Sequence, residues 1–118
     1  MINRLNPIGN RLSEAVIHNG IVYSAGQVAL NAEGGSIEDQ TKDVLATLDR
    51  ILEEASSDKS RMLSASIWLT HIEDVKAFNE IWDEWIPEGC APARACVEAK
   101  LVSPDLTVEV SVIAAQKD

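Results

Sequence analysis

Two charged residues, Arg94 and Glu109, interrupt apolar runs that otherwise read as β-strands: Ala91-Pro92-Ala93-Arg94-Ala95-Cys96-Val97-Glu98 and Val108-Glu109-Val110. The planar guanidinium of Arg94 presents paired donors that fit a carboxylate bidentately, which a lysine cannot do. From the residues alone Arg94 reads as a surface or structural ion pair with a carboxylate, and Glu109 as a solvated charge on an edge strand. Cys96 invites a nucleophile reading, but no histidine stands at a recognisable distance in sequence, and a cysteine is often a small buried hydrophobe. Gly26, in Ser24-Ala25-Gly26-Gln27, either relieves crowding in a strand or lets a ligand approach its backbone amide. Asn79 reads by default as a helix-surface amide.

The elements that must carry these groups follow from periodicity and punctuation. Proline enters a strand only near its start, so Pro92 marks an entry point and Arg94 falls at the first paired positions. Alternation sends Arg94, Cys96 and Glu98 to one face and Ala95, Val97 and Ala99 to the other. In the last strand Val108, Val110 and Val112 oppose Thr107, Glu109 and Ser111. Each strand is thus expected to have one core face and one chemical face. Upstream, Glu14–His18 and Ile21–Leu30 flank Asn19-Gly20, a strong hairpin signal. Val44, Leu45, Leu48, Ile51, Leu52 and Ala55 recur at helical steps and predict a helix over Ile37–Ala55. Arg61–Ile72 predicts a central strand, apolar on both faces around Trp68. Glu73-Asp74 opens a second helix with Val75, Phe78, Trp82, Trp85 and Ile86 on its buried stripe, ended by Pro87 and Gly89. The order β-β-α-β-α-β-β predicts an α+β domain spanning 1–118, with two helices on one face of a mixed sheet. The other face then needs a cover, and a second copy of the chain is the simplest one.

Composition bounds the rest. The chain has 118 residues with 46% hydrophobic and 25% charged side chains, ordinary globular usage for a single domain. No apolar run approaches the length of a membrane span, no signal peptide is discernible, and a cytoplasmic location is expected. Cys90 and Cys96 have neither a zinc spacing nor a disulfide framework and are read as reduced thiols. A formal charge of -9 repels phosphate backbones, so no nucleic-acid partner is expected. His18 and His71 receive no role, and the three tryptophans are assigned to the core or a subunit interface.

The segments Pro92-Ala93-Arg94-Ala95-Cys96-Val97-Glu98 and Val108-Glu109-Val110, together with Tyr23-Ser24-Ala25-Gly26-Gln27, Ser66-Ile67-Trp68-Leu69-Thr70 and the helical stretch around Asn79, resemble the RidA (YjgF) family of reactive-intermediate deaminases over nearly the whole chain. The resemblance implies a chorismate-mutase-like fold and a homotrimer with binding clefts between subunits. It also implies hydrolysis of reactive 2-imino acids and their enamines to 2-oxo acids and ammonia, with no cofactor and no metal. By position, Arg94 and the Gly26 amide would hold the substrate carboxylate and Glu109 would position or activate water. Cys96 would line the cleft and help orient that water through its backbone, and Asn79 would border it. Two departures stand out. Ala25 occupies the place of the family's serine before the glycine, and Leu12 that of the tyrosine in its Gly-Pro-Tyr-Ser segment. They imply a divergent branch with altered substrate preference or reduced activity, the alternative being a non-catalytic small-carboxylate-binding or regulatory module. The ribonuclease activity ascribed to some members is disfavoured by the acidic balance and by the lack of a basic, aromatic stripe.

Overall fold

The computed structural model describes residues 1–118. Seven strands, β1 (Asn3–Ile8), β2 (Leu12–His18), β3 (Ile21–Ser24), β4 (Gln27–Val28), β5 (Met62–Leu69), β6 (Ala93–Glu98) and β7 (Val108–Ala115), join helices α1 (Ile37–Glu54) and α2 (Val75–Trp85). Ser36 caps α1, its side chain accepting from the Asp39 amide at 3.0 Å, and the predicted apolar steps Val44, Leu45, Leu48, Ile51 and Leu52 form the buried stripe. A short 3-10 turn over Ile72–Asp74 leads into α2, which stops before Pro87.

The sheet runs β1-β2-β3-β7-β5-β6, with β4 beside β7; only β5 and β6 are parallel, so the sheet is mixed. Ala15, Ile17, Val22, Ala65, Ile67, Leu69, Val108, Val110, Val112 and Ala114 cover one face and pack with α1, Phe78 and Trp82 into a single core. Burial of that face is the dominant stabilising term, roughly 1.5–3 kcal/mol for each large apolar side chain. No helix is long and apolar enough to cross a membrane.

Several expectations need revision. A strand over Asn3–Ile8 was not anticipated, because Pro7 and Asn6 argue against one; β1 tolerates them as an edge strand, with Asn6 at φ 49°. Asn6 is also stapled to α1: its side-chain amide donates to Glu14 at 2.8 Å and Glu54 at 2.7 Å, and Arg50 bridges the same two carboxylates at 2.8 and 2.9 Å. The strand expected over Ile21–Leu30 breaks at Ala25 and Gly26 into β3 and β4. β5 is interior but lies next to the edge strand β6, and the strand between it and β3 is β7.

The faces of β6 are reversed from the expected assignment. Its register sets Arg94 beside Ala65, Cys96 beside Ile67 and Glu98 beside Leu69, all on the helix side. Val97 is instead 50% exposed on the side away from the helices. α2 brings the Phe78 and Trp82 rings to this face, where the guanidinium of Arg94 lies over both. On the helix-free face the register aligns Val16 with Tyr23, Tyr23 with Ile113, and Trp68 with both Glu109 and Val97. This face carries apolar side chains that nothing in the chain covers.

Candidate functional site

Arg94 is the second residue of β6, at the mouth of the strand as expected. Its Nη2 donates to Asn79 Oδ1 at 2.7 Å, and its Cζ lies 5.4 Å from the ring centroid of Trp82 and 5.8 Å from that of Phe78. The helical spacing of residues 78 and 82 stacks those two rings at 5.7 Å, and Asn79 sits one step round the helix, so α2 supplies both shelf and acceptor. The ion pairs of the chain use Arg50, Arg61 and Lys117, and none involves Arg94. Within the chain, therefore, the structural-ion-pair reading of Arg94 does not hold. A neutral amide oxygen orients the guanidinium without neutralising it.

Cys96 follows on the same face, half-buried against the core. Burial pushes its thiol pKa up, with Arg94 opposing, so the group stays protonated at neutral pH and is poorly suited to act as a nucleophile.

Glu109 lies on the opposite face of the sheet, between Trp68 of β5 and Val28 of β4. Its side chain runs over Gly26: a Cβ placed on that glycine would stand 2.9 Å from Glu109 Cδ and 3.2 Å from Cγ. Burial raises the pKa of this carboxyl, and no neighbouring charge offsets the shift. Ser24 is spent elsewhere, its hydroxyl accepting from the Val112 amide at 2.9 Å, so it does not replace the hydroxyl absent at Ala25. Leu12, 44% exposed, opens β2 and lines a depression of about 320 Å³ with Arg4, Pro7, Arg11, Ser13 and Val16.

The fold thus assembles two half-sites. One holds Arg94, Asn79 and Cys96 on the helix side of an edge strand; the other holds Glu109 and Gly26 on the helix-free face. The chain does not bring these halves together, and Leu12 lies beyond β3 and β7, at the far side of the sheet from Arg94. Sequence reasoning missed the Phe78–Trp82 shelf as part of the site. Its signal, an aromatic pair at i and i+4 beside Asn79, was present but indistinguishable from a core stripe. A separate depression of about 420 Å³, lined by Thr70, His71, Lys100, Leu101, Ser103 and Pro104, contains none of these residues. No group of three or more His, Cys, Asp or Glu side chains is placed to hold a metal ion.

Comparison with known proteins identifies the family. The sequence profile described as Endoribonuclease L-PSP matches residues 1–116. A RutC family protein from Haemophilus ducreyi is 42% identical over 115 residues, covering 98% of this chain and 97% of its own. The RutC family protein YoaB of Escherichia coli K12 is 41% identical over 105 residues, covering 89% of this chain and 90% of its own. The crystal structure of a member of the YjgF protein family from Neisseria meningitidis aligns with a TM-score of 0.95 at 42% identity, over 100% of this chain and 97% of that one. With one profile spanning the chain and the fold shared throughout, the chain belongs to the Endoribonuclease L-PSP family, that of the YjgF, RidA and RutC proteins.

Proposed function

We propose that this protein hydrolyses reactive 2-imino acids, the tautomers of enamines released by pyridoxal-phosphate enzymes, to 2-oxo acids and ammonia in the cytoplasm. The observation that carries the reading is the un-neutralised Arg94, held by the Asn79 amide on an aromatic shelf in a chain of net charge -9. Such a group suits a small carboxylate ligand. Arg94 and the Gly26 amide bind the carboxylate. Glu109 aligns water against the imine carbon and the Cys96 backbone helps orient it. The water oxygen bonds to C2, the C=N electron pair passes to nitrogen, which takes up protons, and the carbinolamine expels ammonia as the C=O bond forms. Placement supplies most of the acceleration for so reactive a substrate.

Because Arg94 and Glu109 occupy opposite faces of one sheet, the reaction requires a cleft between two copies, with Arg94 from one and Glu109 from the other. A homotrimer meets this need, and it covers the exposed Val97, Tyr23 and Leu63. Light scattering of dilute protein is expected to report three times the chain mass; a folded monomer at low micromolar concentration would sink both the trimer and the shared cleft. RNA cleavage, which the family description names, fits this chain less well, since Glu73, Asp74, Glu80, Asp83 and Glu84 line the second helix and its approach and repel a polyanion.

Leu12 and Ala25 favour a second reading, a carboxylate-binding module that performs no chemistry. A coupled assay separates the two: an amino-acid oxidase or dehydratase generates the imine, and its loss is followed with and without the protein. Faster loss supports the deaminase, whereas ligand binding without acceleration supports the module. If Leu12 borders the cleft, Leu12→Tyr is expected to shift preference several-fold toward the smallest imino acids, since one hydrogen bond is worth roughly 0.5–1.5 kcal/mol. The measurement compares imines derived from alanine, leucine and glutamate. Unchanged relative rates would place Leu12 outside the cleft.

A further inference from the structure

The glycine at position 26 is not demanded by its backbone. The chain's positive-φ glycines are Gly9, Gly20, Gly34 and Gly89, and Gly26 is not among them, so its φ/ψ is open to any residue. What a side chain there would displace is the Glu109 carboxylate. In the antiparallel register Val28 stands opposite Glu109, and Gly26, two residues back, shares Val28's face. The glutamate side chain therefore runs diagonally across β4 and lays its carboxylate where a Cβ of residue 26 would be, with Cδ 2.9 Å and Cγ 3.2 Å from that point. The overlap falls on the functional end of the side chain, and the carboxylate has no room to stay if a methyl group arrives.

We infer that Gly26 is a positioning residue for Glu109: the missing side chain forms the seat that keeps the Glu109 carboxylate flat against the sheet. This role is separate from any contact of the Gly26 amide with a ligand. The inference rests on the reading of Glu109 as the water-aligning group. The seat accounts for the half-burial of Glu109, and that burial is the sole cause of its raised pKa. The flanking side chains on its face are Val28 from β4, Trp68 and Ser66 from β5, and Ser111 from β7, none of them an acid or base. In the proposed cleft the partner subunit's Arg94 is the charge that approaches, and it is the same in wild type and in Gly26 variants. Evicted from the seat, the carboxylate turns toward solvent and loses both its aim and its desolvation.

The test uses full-length Gly26→Ala, Glu109→Ala, Glu109→Asp and the double variants. Carbon-13 NMR of labelled glutamate carboxyls, with Glu109 assigned by its disappearance in Glu109→Gln, follows its titration without reference to activity. In Gly26→Ala the Glu109 titration is expected to move down toward the ordinary glutamate range. Turnover of imines is expected to fall on the order of 10²-fold, the scale of a 1 Å misplacement, with little change in KM. Aspartate withdraws the carboxylate by one methylene, so Gly26→Ala should cost at least about fivefold less in the Glu109→Asp background. If Gly26→Ala fails to fold, the seat requires that Gly26→Ala/Glu109→Ala folds, since the obstructing side chain is gone. An unchanged Glu109 titration in folded Gly26→Ala, equal costs in both backgrounds, or a double alanine variant that stays unfolded overturns the inference. If the titration moves while even the wild type leaves imines untouched, the seat stands and the deaminase reading falls.

Discussion

Arg94→Ala is expected to lower kcat/KM for 2-imino acids about ten- to a hundredfold while leaving Tm unchanged. A charge-assisted hydrogen bond contributes roughly 1.5–3 kcal/mol, which sets that range. Stability is spared because Arg94 is exposed, pairs with no carboxylate, and gives up only the Asn79 contact and its place over Trp82 and Phe78. Arg94→Lys should recover only part of the loss, since an ammonium neither binds bidentately nor stacks on the shelf. Steady-state kinetics with thermal unfolding on each variant decide the matter. Unaltered turnover by well-folded Arg94→Ala protein would remove the clamp from the mechanism.

Glu109→Gln is expected to reduce kcat about 10²- to 10⁴-fold, the usual scale for a positioned general base, with a smaller effect on binding. The amide keeps the shape of the carboxylate in its place over Gly26 but cannot accept a proton. The wild-type pH profile carries a second signature. Burial disfavours the charged carboxylate, so the Glu109 pKa lies above the usual glutamate value. Activity that needs the ionised form therefore falls as pH drops through the Glu109 pKa, which burial within the chain raises and the approaching Arg94 of the partner subunit lowers. In Glu109→Gln this acidic limb disappears. Equal losses in kcat and in ligand affinity would argue that Glu109 contacts the ground state and does not serve the water.

The helices and most strands were legible because their signals are local. The apolar steps in α1, the stop of α2 before Pro87 and the Asn19-Gly20 hairpin depend on neighbours a few residues away. β1 was hidden because Pro7 and a left-handed Asn6 contradict strand propensity, and only edge position with the Arg50 network makes the strand possible. Alternation identified which side chains of β6 share a face but not which face meets the core. That choice is made by α2, whose aromatic stripe is brought over Arg94 by tertiary packing. The Arg94–Asn79 contact was not legible: the family resemblance placed both residues at a cleft without pairing them, and fifteen residues and a loop separate the two. Gly26 and Glu109 meet across neighbouring strands, β4 and β7, that are far apart in the chain, and no sequence spacing encodes the contact.

The two outer strands of the sheet are unequal as sites of growth. β1 ends the sheet with Pro7 and a left-handed Asn6, which interrupt the outward row of backbone donors and acceptors and cap it against strand addition. β6 at the other end is six residues of regular backbone whose far side has no partner in the chain. One end is therefore polymerisation-resistant and the other is not, so a head-to-tail fibre built by pairing β6 of one molecule with β1 of the next is frustrated at every junction. A replacement of Pro7 that regularised β1 would remove that mismatch and expose a second edge open to strand pairing.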